Sequence, residues 1–412
     1  MQETRRTFLA STLTSAAALA LSSGLTPNDA FAYHNRGLAY RDMRDYDRAI
    51  RDFDAALKVN GTLTAVLNDR GLGYIAKGET DRAIEDFDQA IAVNPKDPLA
   101  YNNRGLAYRN KGQIDTAIGN YDQAIQINAD FALAYYNRGN AYYDKRDHDR
   151  AIADYSQALK INPNHSVAYY NRGNVYYGKR DLTRALADFD QAIKIDPKSA
   201  VAYYDRGLTH YDRRDYERAL ADFDQAIKID PKDAFAYYNR GIALYGLQDF
   251  DRAIADFDRA IKLDGKIALA HHNRGNAYAR RREHDRAIAD LDQAIKLNGN
   301  SALAYTDRGL AHGAKGPGQA VTHLVVARCV RIQRGKARAF GQKVAPHDAV
   351  GQRGVSPLQK RNRGRNRGQI ALLLRDKGLH GRRVLADRQA LDALGHGAQA
   401  IGREQLQHQG QC

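Results

Sequence analysis

From Ala30 onward, small and apolar residues recur in a fixed order every 34 residues. With Ala30 as slot 1 of the first repeat, slot 8 is always glycine, from Gly37, Gly71 and Gly105 through to Gly309. Slot 20 is alanine (Ala49, Ala83, Ala117 and onward), and so is slot 27 (Ala56, Ala90, Ala124 and onward). Slot 24 is large: Phe53, Phe87, Tyr121, Tyr155, Phe189, Phe223, Phe257 and Leu291. Slots 4, 8 and 11, and then 20, 24 and 27, have the three-and-four spacing of a helix face. Each repeat therefore predicts two helices of roughly a dozen residues joined by a short turn. The small residues at slots 8 and 20 predict a close approach of the paired helices, with the slot 24 ring filling the space beside them. Slot 32 carries Pro95, Pro163, Pro197 and Pro231, with Gly61, Gly265 and Gly299 elsewhere and Ala129 as the exception. Proline and glycine there predict the end of the second helix.

Slot 7 is arginine in every repeat: Arg36, Arg70, Arg104, Arg138, Arg172, Arg206, Arg240, Arg274 and Arg308. A charge on an otherwise apolar helix face needs a partner or water. Folding the two helices back on each other brings slot 7 beside slot 23, which is Asp in every complete repeat except at Asn120. An Arg–Asp pair inside each repeat is expected, with the arginine stem lying on the apolar seam.

A 34-residue helix–turn–helix unit of this kind closely resembles the tetratricopeptide repeat over residues 30–316. Slot 4 is mostly Tyr (Tyr33, Tyr101, Tyr135, Tyr169, Tyr203, Tyr237) where that family has Trp, and slot 7 is Arg where it has Leu. The resemblance implies an all-α, right-handed superhelical solenoid of antiparallel helix pairs, with eight complete repeats and the first helix of a ninth. Each unit of such an array buries its apolar faces against its neighbours. The resemblance also implies that first helices line a concave surface onto which slots 2, 5, 6, 9, 12 and 13 look. Slot 6 is an unbroken amide or carboxylate row, including Asn103, Asn137, Asn171, Asp205, Asn239 and Asn273. It resembles the asparagine ladder of O-linked N-acetylglucosamine transferases, which holds an extended peptide backbone. An amide offers both a donor and an acceptor, as a peptide unit does. Beside it stand Tyr136, Tyr170, Tyr204 and Tyr238 at slot 5 and Tyr143, Tyr177, Tyr211 and Tyr245 at slot 12. These fourteen residues form the expected peptide-binding groove, the alternative being that the slot 6 amides brace neighbouring helices. Slot 5 carries no Lys or Arg, so the cationic clamp that some family members use for acidic tails is not expected.

Composition sharpens the picture at the two ends. The chain has 412 residues, 43% hydrophobic and 27% charged, with 25 Tyr and no Trp. Its formal charge of +15 belongs to the tail: residues 317–412 hold 18 basic and 5 acidic groups, and the preceding residues are nearly balanced at 45 and 43. The tail is rich in Gly, Arg and Gln and has a single aromatic residue, Phe340. Three readings stand for it: a disordered basic segment, a small domain without a visible pattern, or a reading frame disturbed near Gly316. The third accounts for a break that falls in mid-repeat. At the other end, residues 1–25 carry Arg5-Arg6, then Phe8-Leu9, then an Ala/Leu-rich stretch, and resemble a twin-arginine export signal. Export to a bacterial periplasm or beyond is expected, with a cytoplasmic array as the alternative.

No catalytic constellation, phosphate-cradling glycine loop or metal-ligand spacing is present. Two cysteines, Cys329 and Cys412, make no disulfide framework. The expectation is a non-enzymatic scaffold for protein or peptide, with no cofactor, no metal and no small-molecule substrate. Two alternatives from other classes remain: a nucleic-acid-associated scaffold using the Arg/Gly tail, or the targeting arm of an enzyme whose catalytic part is missing. The tail has no aromatic interleaving for base stacking, which argues against nucleic acid.

Overall fold

The computed structural model describes residues 29–315. The export-signal reading of residues 1–25 and the three readings of residues 317–412 fall outside the described residues. The described residues contain helices and turns and no strand. No helix among them is long and apolar enough to cross a membrane.

Two compact units divide the chain, one ending at Ile195 and one beginning at Asp196. The first unit holds ten helices: α1 (Ala30–Asp42), α2 (Tyr46–Val59), α3 (Thr64–Lys77), α4 (Thr80–Val93), α5 (Pro98–Asn110), α6 (Ile114–Ile127), α7 (Ala132–Asp144), α8 (His148–Ile161), α9 (Ser166–Gly178) and α10 (Leu182–Ile195). The second holds α11 (Ala200–Asp212), α12 (Tyr216–Ile229), α13 (Ala234–Gly246), α14 (Phe250–Leu263), α15 (Ala268–Arg280), α16 (His284–Leu297) and α17 (Ala302–Lys315). Within each unit the odd-numbered helix packs along the even-numbered helix that follows it, and that helix packs against the next odd one.

The hydrophobic pattern explains this pairing. The slot 20 and slot 27 alanines are at most 2% exposed, and the slot 24 rings of Phe53, Phe87, Tyr121 and Phe223 are fully buried. Slot 8 must be glycine because the slot 24 ring lies on it. A Cβ at Gly71 would sit 2.5 Å from Phe87 Cε1, well inside van der Waals contact.

Two local devices set the helix ends. The turn between paired helices passes through a left-handed residue at slot 15: Gly78 and Gly112 in two repeats, but Arg44, Arg146, Arg180, Arg214, Gln248 and Arg282 in the others. The next residue, slot 16, caps the second helix; Asp45, Asp147 and Asp215 accept from the backbone N–H of Arg48, Arg150 and Arg218. The second helix ends two residues before the proline or glycine of slot 32. At slot 31 an Asn or Asp turns the chain by accepting from the N–H two residues on, as Asn94 does from Lys96 and Asp230 from Lys232. Asn128 does the same for Asp130, which is why Ala129 suffices at slot 32.

Candidate functional site

The slot 7 arginines show how each repeat is tied together. Arg70 donates Nε and Nη2 to Asp86 at 2.9 and 2.5 Å, inside its own repeat. Its Nη1 donates to Asp54 of the repeat before, at 2.6 Å. Arg138 repeats this with Asp154 and Asp122, Arg240 with Asp256 and Asp224, and Arg274 with Asp290 and Asp258. Burial works against the charge on Arg70, and the bonds to its two aspartates more than offset it, so the guanidinium is held charged above its usual range. The slot 4 tyrosine lies under the same group, with the guanidinium carbon of Arg138 5.4 Å from the centre of the Tyr135 ring. The expected intra-repeat pair is present. The second bond, to slot 25 of the preceding repeat, was not anticipated.

The slot 6 row sits between first helices rather than on an open face. In the first unit, Asn103 Nδ2 donates to Asn68 Oδ1 at 3.2 Å, and Asn137 Nδ2 to Asn102 Oδ1 at 2.9 Å. Asn171 Nδ2 donates to the Tyr136 hydroxyl and to Asn140 Oδ1. In the second unit, Asn239 donates to Tyr204 and Asn273 to Tyr238. Each of these bonds joins slot 6 to slot 5 of the repeat before, except that from Asn171 to Asn140, which reaches slot 9. The carboxylate variants follow the same rule, with His34 Nε2 2.8 Å from Asp69 and His272 Nε2 2.6 Å from Asp307. Asn103, Asn137, Asp205, Asn239 and Asn273 are buried, as are Tyr204, Tyr238, Tyr177 and Tyr211. These amides therefore bond across to neighbouring first helices as inter-repeat braces, the alternative set beside the ladder for this row. Of the fourteen residues, Tyr143 is exposed and Tyr136, Tyr170, Tyr245 and Asn171 are half-buried.

What remains open on the first helices is different. Slot 2 shares a face with slots 5, 9, 12 and 13. It presents Leu99, Leu133 and Val167 in the first unit, at 41%, 40% and 49% exposure. In the second unit it presents Val201 and Leu269. The signal was in the sequence, since slot 2 is apolar in all nine repeats, yet neither helix-pair packing nor capping requires it. Tyr136 and Tyr170 stand about one turn along the same faces from Leu133 and Val167, and Tyr143 lies towards the far end of α7, its ring 5.9 Å from that of His148. Tyr136 is held by the bond from Asn171 and by the His165 ring, 4.7 Å away centre to centre. Burial lowers the pKa of His165, and its Nδ1 caps α9 by accepting from the Ala168 N–H. Asn140, buried behind them at slot 9, accepts from the Tyr155 hydroxyl. The charged residues of this face in the first unit are Arg41, Asp42, Arg109 and Asp144. All are paired: Arg41 with Asp69 and Asp42, and Arg109 with Asp144 at 2.7 Å. The groups of acidic and histidine residues include no cluster of three or more that could hold a metal, among the described residues.

Family models described as "Tetratricopeptide repeat" match residues 30–63, 132–165, 166–199 and 268–301, and a second so described matches 204–268. A third, described as "TPR repeat", matches 71–112 and 105–145. Together they cover more than half of the chain. It belongs to the tetratricopeptide repeat family. No curated protein matches this tetratricopeptide protein in sequence. Among solved structures it is similar to YrrB, described as a TPR protein with an unusual peptide-binding site, at 27% identity over 45% of this chain and 95% of that one, with a TM-score of 0.42. It is also similar to MamA, at 30% identity over 40% and 96% of the two chains with a TM-score of 0.35. A tetratricopeptide repeat protein from Parabacteroides merdae is 24% identical over 60% and 98%, with a TM-score of 0.43.

Proposed function

We propose that this tetratricopeptide array is a non-enzymatic scaffold that holds an extended segment of a protein partner on the first-helix face of its first unit. The observation that carries this reading is the row of exposed apolar side chains at slot 2, Leu99, Leu133 and Val167, on a helix face that also carries Tyr136, Tyr170 and, further along, Tyr143. Aliphatic and aromatic groups that the fold does not bury gain by covering, and rigid tyrosine rings are efficient anchors. The test is to pan a random peptide display library over the full chain and re-measure the selected peptides on Leu133→Asp and Tyr143→Ala. Each variant should weaken binding at least tenfold with an unchanged circular dichroism melt. Peptides that bind both variants as well as the parent would overturn this face.

We also propose that the chain is exported through the Arg5-Arg6 signal. The Arg5→Lys, Arg6→Lys double variant should stay in the cytoplasm of a bacterial host, and unaltered fractionation would remove this route.

A further inference from the structure

We infer that the first-unit face selects an uncharged, proline-containing segment in the polyproline II conformation, with an apolar side chain at every third residue. This rests on the peptide-binding reading above. Three observations carry it.

The first is charge. In a chain with 27% charged residues, the face of α7 and α9 carries Asp144 as its one charged side chain, and Arg109 neutralises it. A ligand carboxylate or ammonium laid on Leu133, Val167 and the tyrosine rings would lose water and gain no counter-ion. An uncharged segment loses nothing there.

The second is spacing. First helices α5 and α7 touch directly, and their slot 5 and slot 6 side chains bond across the gap, as Asn137 does to Asn102 at 2.9 Å. Helices packed this way stand about 8–10 Å apart, which sets the interval from Leu99 on α5 to Leu133 on α7. A polyproline II helix advances about 3.1 Å per residue with three residues per turn, so equivalent side chains recur about every 9 Å on one side. A β-strand of the same reach would turn alternate side chains away, and its two- or four-residue repeats miss the interval.

The third is the company of rings. Tyr136 and Tyr170 at slot 5 flank the apolar row, and Tyr136 is pinned by Asn171 and His165. Fixed aromatic walls are the surfaces on which proline rings dock, and a preformed polyproline II segment has little entropy left to lose. The amides of the slot 6 row are engaged with neighbouring helices, so the backbone ladder that a strand-like ligand would need is not offered.

The experiment uses the full chain and four fluorescein-labelled peptides, read by anisotropy. The parent peptide has five tandem Pro-Leu-Ser triplets; the others replace every Pro by Gly, every Ser by Asp, or every Ser by Lys. The parent should bind at least tenfold tighter than each analogue, and Val167→Asp should abolish the difference while an outer-face control, Ala187→Asp, should not. Equal binding of the Gly analogue overturns the polyproline II geometry. Equal or tighter binding of the Asp or Lys analogue, sensitive to Val167→Asp, overturns the charge selection; the peptide-binding reading survives both. If no triplet peptide binds, the inference falls, and the reading falls with it only if the display library also yields no peptide sensitive to Leu133→Asp.

Discussion

Asn239 donates its Nδ2 to the hydroxyl of Tyr204, 2.6 Å away and one repeat earlier, and both side chains are buried. The bond crosses from α13 to α11, so it fastens two first helices that no turn connects. Asn239→Ala removes the amide donor from this buried pair and should cost about 1–3 kcal/mol in denaturant titration. Tyr204→Phe added to it should cost much less than Tyr204→Phe alone. Strict additivity of the two losses would show that the pair does not act as one brace.

Tyr121 offers the reverse case. Its ring is fully buried at slot 24, its hydroxyl has no hydrogen-bond partner among the described residues, and burial pushes the phenol pKa up. In the next repeat the equivalent Tyr155 donates to Asn140, but the corresponding slot 9 residue for Tyr121 is Leu106. Tyr121→Phe removes an unsatisfied group and keeps the ring that five other repeats use. It should raise stability by about 1 kcal/mol. A lower unfolding midpoint would mean that the hydroxyl has a partner in solution.

The arginine clamp should be far more sensitive to loss of a side chain than to loss of one charge. Arg138→Ala strands Asp154, whose side chain is 8% exposed, and should cost about 3–5 kcal/mol. Asp154→Asn keeps an acceptor for the guanidinium, and the third repeat already works this way, with Arg104 Nε donating to Asn120 at 2.7 Å. Its cost should stay near 1 kcal/mol. Similar losses for the two variants, measured by thermal and denaturant unfolding, would refute the clamp.

Acid should act on the caps of the second helices. The Arg150 side chain and then its backbone N–H hold Asp147 below the usual carboxylate range; for Asp45 and Asp181 the backbone bond from the arginine three residues on comes first, and its side chain second. A carboxylate whose folded pKa is depressed contributes stability above its unfolded value, and that contribution is lost as pH falls through the folded one. The stability contributed by these caps should therefore be constant from pH 7 to about 5 and be lost below about 4. Replacing all three aspartates with Asn, which still caps, should flatten that decline. An unchanged acid limb would assign it to other carboxylates.

The repeat period, the paired helices, the alanine–glycine seam and the Arg–Asp pair inside each repeat could all be read from spacing, because their partners lie within one 34-residue unit and recur without exception or nearly so. What escaped lies between units. Asp54 is as regular as Asp86, yet periodicity alone does not say which repeat Arg70 reaches with its third nitrogen. The same blindness turned the slot 6 row outward in expectation. The correcting signal was pairwise: His34 is followed one repeat later by Asp69, and His272 by Asp307, whereas Asn68 and Asn102 are followed by Asn. Donor and acceptor types that change together across a repeat boundary mark a bond rather than a ligand row. The slot 2 leucines and valines were visible but mute, since exposure is decided by packing and not by residue type.

These matched pairs make the order of the repeats matter. Because slot 5 of one unit must suit slot 6 of the next, the units are not freely interchangeable beads. A histidine unit is followed by an aspartate one, while tyrosine units are followed by asparagine after Tyr136, Tyr204 and Tyr238 and by Asp205 after Tyr170. The first and eighth units carry the same half of the key, so a shortened array that joins His34 to the unit of Asp307 keeps a fitting junction, while one that joins His34 to the unit of Asn103 exchanges the carboxylate for an amide. Growth or trimming of the array by whole units is thus constrained at every seam, and the permitted lengths are written in the side chains that face each other across it.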